Sequence, residues 1–101
     1  MINVVATIAV QEGQGPAFEQ LFAEARTGVL QEDGCLRYDV QRKRRSETDY
    51  VILEGWESTA ALKVHGETEA FAAFAKALGG IAAGAPVITV LHPVGKQVPL
   101  A

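Results

Sequence analysis

Residues 2–10, INVVATIAV, are rich in β-branched side chains and run into the turn Gln11-Glu12-Gly13, which predicts a first strand. Its apolar residues fall at both parities, so both faces of its sheet need cover. From Pro16 the period changes. Phe18, Leu21, Phe22, Ala25 and Val29 recur at helical spacing, with Glu19, Gln20, Glu24 and Arg26 between them. Pro16 suits a first helical turn, so a helix is expected over about 15–31. Gly34 opens a second strand at about 35–44, with Leu36, Tyr38 and Val40 on one face and Arg37, Asp39 and Gln41 on the other. The polar run from Arg42 to Asp49 predicts a hairpin tip, and YVILEGWES a third strand at about 49–57.

Ser58 is a good N-cap for the alanine-rich helical stretch 59–79, which the pattern breaks near Gly66. Within it Ala61, Leu62 and His65 share one face, as do Phe71, Phe74 and Leu78. Gly79-Gly80 ends the stretch. After Pro86, VITVLHPV predicts a fourth strand that Pro93 limits. The core therefore spans about 1–92, and 93–101 form a loose tail or a partner-exchanging arm.

The order β-α-β-β-α-β predicts a single α+β domain over 1–101, a ferredoxin-like antiparallel sheet with helices on one face. The other face carries Val5, Thr7, Val51, Leu53 and either Val87 or Ile88. A second copy packed sheet to sheet is the economical cover, so a homodimer is expected.

Composition then removes alternatives. The 101 residues are 49% hydrophobic and 21% charged, with a net charge of −3, which gives no general attraction to nucleic acid or an anionic membrane. One cysteine, Cys35, excludes an intrachain disulfide and a multi-cysteine metal site. The apolar start lacks a basic segment, and no stretch approaches the roughly 20 apolar residues of a membrane span. The expected location is cytoplasmic. The tip Arg42-Lys43-Arg44-Arg45 is the one charge run and reads as a solvated hairpin, since no aromatics interleave it. His65 and His92 form no metal spacing, so no metal is expected.

Three pieces in order, Glu32-Asp33-Gly34-Cys35-Leu36-Arg37-Tyr38, Glu54-Gly55-Trp56-Glu57-Ser58, and Ala61-Leu62 with His65, resemble the antibiotic biosynthesis monooxygenase family over roughly residues 1–92. That resemblance implies a dimeric α+β barrel with a pocket between sheet and helices in each protomer. It further implies a cofactor-independent monooxygenase, in which a quinol-like or aromatic polyketide-like substrate is its own electron source for O2. Such chemistry needs a dry apolar pocket, a proton acceptor and an aromatic wall. A non-catalytic dimeric binding module for a small molecule and an oxygen-independent, isomerase-like enzyme are the alternatives.

His65 is the candidate base, against a hydrogen-bonded core histidine. Trp56 is the candidate wall for an aromatic substrate, against a core tryptophan. Glu54 shares the Trp56 face, and an inward carboxylate must be protonated or paired. It is either a pocket acid or the partner of Arg37 or Lys63, and the pairing is the favoured reading. Tyr38 is a candidate hydrogen-bond donor to a quinol oxygen, with Ile52, Leu62 and Phe71 as apolar lining. Asn3, Cys35 and His92 read as structural.

Departures from the family pattern are specific. Leu62 stands where some of the monooxygenases have a tyrosine, and Ala70 where many members have a second histidine. Ala6 and Ala75 occupy the positions of the asparagine and the haem-ligating histidine of the haem-degrading branch, which argues against haem degradation.

Overall fold

The computed structural model describes residues 1–98, so the last residues of the expected tail lie outside the described residues. The elements are β1 (Ile2–Ala9), α1 (Gly15–Val29), β2 (Cys35–Arg42), β3 (Asp49–Trp56), α2 (Thr59–Gly66), α3 (Glu69–Gly79) and β4 (Val87–Leu91). The strands form one antiparallel sheet in the order β2-β3-β1-β4. This is the expected ferredoxin-like α+β arrangement. The break near Gly66 divides the alanine-rich stretch into two helices. Ser58 caps α2 by accepting from the Ala61 N–H, and Thr68 caps α3 by accepting from the Phe71 N–H. The Thr68 hydroxyl also donates to the His65 carbonyl at 2.9 Å, which joins the end of one helix to the start of the next. Among the described residues no helix is long and apolar enough to cross a membrane.

Side-chain parity decides which face is covered. On β1, Ile2, Val4, Ala6 and Ile8 are buried beneath the helices, and on β3 Tyr50, Ile52, Glu54 and Trp56 are buried on the same face. From α1, Phe18 packs on Tyr50 with ring centroids 4.7 Å apart, and Phe22 stacks on Tyr38 at 5.0 Å. Burying each phenylalanine contributes roughly 2 kcal/mol. Val5, Thr7, Val51 and Leu53 lie on the outer face, as the sequence parity predicts. The Thr7–Val87 pairing puts Val87 there as well and turns Ile88 to the helix side. Both remain open to solvent, at 63% and 60% exposure.

One expectation about β2 fails. Leu36 does not share a face with Tyr38 and Val40. Between Cys35–Trp56 and Arg37–Gly55 the register slips by one residue, leaving Leu36 as the extra member of a β-bulge. The Cβ atoms of Leu36 and Arg37 both lie on the side of Gly55 where a Cβ of its own would point, so Leu36 sits on the outer face and is exposed.

The loop before β2 depends on Gly34. Its φ of +82° lies in the left-handed region, and a Cβ there would stand 2.7 Å from the Ala61 Cβ of α2. Gly13 has a similar φ of +83° but open space around it. Gly34→Ala should therefore cost about 2–5 kcal/mol, a left-handed penalty plus overpacking, and Gly13→Ala only about 1–2 kcal/mol. Denaturant unfolding of the two variants checks the difference; equal losses would mean the Ala61 contact constrains nothing.

Candidate active site

His65 sits in the last turn of α2, one helical turn after Ala61, whose contact with Gly34 fixes how closely the α1–β2 loop approaches the helix. That approach places Glu32 beside the imidazole. His65 Nδ1 lies 2.9 Å from Glu32 Oε1 and 3.2 Å from Oε2. A carboxylate has only lone pairs to offer, so Nδ1 carries the proton. In the neutral ring, Nε2 is then the basic nitrogen. Among the described residues Nε2 has no hydrogen-bond partner, yet no buried side-chain nitrogen or oxygen is left orphaned. His65 is only 3% exposed, so its remaining opening includes that nitrogen.

Aromatic rings surround the imidazole. Trp56 lies against it with centroids 4.6 Å apart, and Phe71 and Tyr38 meet it edge-on at 5.3 and 5.8 Å. Trp56 has no exposed surface, so in this state it is a floor beneath His65 rather than an open wall. Its indole N–H donates to Glu54 Oε1 at 2.9 Å. Glu54 therefore has neither of the basic partners expected from sequence. Arg37 points to the outer face and donates to Asp39 Oδ2 at 3.0 Å, and Lys63 is exposed. Arg26 of α1 completes that cluster, donating to Asp39 Oδ1 at 3.0 Å and to the Tyr38 carbonyl at 2.7 Å.

The structure thus gathers Tyr38, Glu54, Trp56, His65 and Phe71 around one point. Ile52 is one inward position before Glu54 on β3 and belongs to the buried core, while Leu62 packs against the core from α2. Glu32 is the residue that sequence reasoning missed. Its signal was the Glu-Asp-Gly turn at the end of α1, and nothing local says that the turn faces α2. Cys35 is half-buried with its thiol pushed up, chiefly by burial, which suits an inert side chain. His92 is exposed just past β4. Among the described residues no three His, Cys, Asp or Glu side chains converge as a metal-binding group.

Burial is also the main electrostatic force in the site. It pushes the Tyr38 phenol well above its ordinary value, helped by the nearby Glu54 and Glu32 carboxylates. It raises Glu54 too, opposed by the Trp56 hydrogen bond and the His65 charge. A carboxyl that holds its proton more tightly when folded adds stability below its unfolded value, and this is lost as pH rises through the folded value. Stability should therefore fall on the alkaline side of the usual glutamate range. Glu54→Gln retains an acceptor for Trp56 and should be stabilised relative to wild type by an amount that grows as pH rises. Thermal unfolding across the acid-to-neutral range tests this, and parallel curves for the two proteins would contradict it.

The geometry can be set beside known proteins. The family model for antibiotic biosynthesis monooxygenases matches residues 1–77. A structure from Caulobacter crescentus, provisionally described as an antibiotic biosynthesis monooxygenase, is 42% identical and superposes with a TM-score of 0.86, covering 92% of this chain and 89% of that one. PA3566 of Pseudomonas aeruginosa is 26% identical with a TM-score of 0.84, covering 93% and 94%. The Bacillus subtilis (strain 168) protein YcnE, provisionally named a monooxygenase, is 37% identical over 59 residues. That match spans 55% of this chain and 62% of YcnE, less than two thirds of its length. With a family model covering most of its length, the chain belongs to the antibiotic biosynthesis monooxygenase family.

Proposed function

We propose that the protein is a cytoplasmic, cofactor-independent monooxygenase in which His65 Nε2 removes a proton from a quinol-like or aromatic polyketide-like substrate. The observation that carries this reading is the Glu32–His65 pair, which directs the proton to Nδ1 and leaves Nε2 as the open, basic nitrogen. Deprotonation makes the substrate electron-rich enough to reduce O2. For an anthrone-type methylene the balance is complete without another reagent. The carbon becomes a carbonyl carrying one oxygen atom of O2, the other leaves in water, and the substrate supplies all the electrons. Phe71 and Tyr38 line the site, and the buried aromatic surroundings exclude water that would compete for the proton. Tyr38 keeps its phenolic proton and can donate it to a substrate oxygen.

Oxygen uptake by metal-free, flavin-free protein over hydroquinones and anthrones tests the reaction. Uptake should exceed autoxidation and fall at least about 100-fold in His65→Ala, the usual weight of a general base. Full turnover in that variant would remove His65 from the mechanism. Ligand binding without enzyme-dependent uptake would point to a binding module, and turnover under strict anoxia to an isomerase.

The working unit is a homodimer. Supporting it, the outer sheet face carries Val5, Val51 and Leu53, and β4 exposes Val87 and Leu91 beside them, an apolar surface without cover from the described residues. Light scattering at micromolar concentration should give about twice the monomer mass of 10.8 kDa; the monomer value itself would refute the dimer.

A further inference from the structure

Base catalysis by His65 leaves Glu54 without a task. The carboxyl lies on the helix-covered face, in register with Tyr38 of β2 on one side and Val4 of β1 on the other. It is 9% exposed. The groups facing it are the Tyr38 phenol and the Cys35 thiol from β2, the Trp56 indole from its own strand, His65 from α2 and Glu32 from the α1–β2 loop. Val4 adds nothing polar, and among the described residues no lysine or arginine pairs with Glu54.

Only one of its oxygens is engaged. Oε1 accepts from Trp56, while Oε2 has no partner among the described residues. Since no buried polar side-chain atom there is orphaned, Oε2 keeps an opening. The same argument applies to the Tyr38 hydroxyl and to His65 Nε2. Tyr38 pairs with Glu54 across the strands, and the His65 ring lies 5.8 Å from Tyr38 and 4.6 Å from Trp56. Three neighbouring buried side chains therefore each leave one polar atom free.

We propose that Glu54 is a second catalytic group, a general acid that protonates the carbonyl oxygen of an aromatic ketone while His65 takes a proton from a conjugated C–H. This rests on His65 being the base and narrows the substrate class from quinols in general to keto tautomers of the anthrone type. A hydroquinone is already enolic and needs no acid. In the step the C–H bond breaks and its electron pair becomes a C=C bond. The carbonyl π pair moves to oxygen, which takes the Glu54 proton. His65 ends as imidazolium and Glu54 as carboxylate, so one proton passes from acid to base by way of the substrate. No electron leaves the substrate, and O2 is not needed until the enol has formed. The buried setting favours the protonated carboxyl that such a donor requires.

The test is anoxic deuterium exchange. Metal-free wild type, Glu54→Gln and His65→Ala are incubated with anthrone in D2O, and loss of the methylene proton signal is followed by NMR. Thermal unfolding establishes that each variant is folded. Wild type should exchange faster than buffer alone and lose rate as pH rises past the usual glutamate range and Glu54 ionises. Glu54→Gln should lose at least tenfold in exchange rate together with that pH-dependent decline, and should lose proportionally less in O2 uptake with hydroquinones. Wild-type exchange in Glu54→Gln, or equal losses on anthrone and hydroquinone, would overturn the acid role. If wild type consumes O2 with hydroquinones but does not exchange anthrone, the proposal fails and the oxygenase reading stands. If His65→Ala retains full O2 uptake, the underlying reading fails first.

Discussion

Two backbones approach each other where only glycine fits, and the candidate site is built on that contact. At Gly34 the chain turns through a left-handed conformation with the Ala61 methyl group only 2.7 Å from where its own Cβ would stand. The α1–β2 loop is thereby held against α2, and Glu32 comes within 2.9 Å of His65. A histidine on an amphipathic helix is otherwise free to choose its tautomer and orientation. Here the choice is made by a carboxylate delivered from a different element. The Thr68 hydroxyl bonded to the His65 carbonyl holds the same turn from the other side.

Burial acts on the site's ionisable groups with a common sign. Tyr38 and Glu54 are both pushed toward their neutral forms, chiefly because the surroundings solvate charge poorly. A shift toward neutral donors beside the unpartnered histidine nitrogen makes the site chemically asymmetric, with a proton acceptor at one point and proton donors at another. The Arg26–Asp39–Arg37 cluster stays outside it. Asp39 resists the effect of its partial burial, because hydrogen bonds from Arg37 and Arg26 hold its carboxyl below the usual range. That cluster ties α1 to the edge strand.

Strand parity, helical period and punctuation by Ser58, Gly66 and Pro93 made most of the fold legible in the sequence, because each reports a local physical preference. Strand parity put Trp56 and Tyr38 on the helix-covered face and helical spacing turned His65 inward, while their reading as one site with Phe71 came with the family resemblance. Three features were not legible. The bulge that turns Leu36 outward adds one residue to β2 without any compositional mark. The partner of Glu54 was sought among cations, whereas a neighbouring indole serves it two residues along the same strand. Glu32 stood in the sequence only as the first residue of the Glu32–Tyr38 motif, because its contact with His65 depends on how closely two elements pack, which no single segment encodes.

The pairing of Glu32 with His65 carries the mechanism, and its tautomer can be observed directly. Nitrogen-15 NMR of the imidazole should show Nδ1 protonated and Nε2 bare in the neutral ring, with a downfield Nδ1 proton that disappears in Glu32→Gln. A ring protonated at Nε2 in wild type would place the lone pair on the wrong atom and contradict the account.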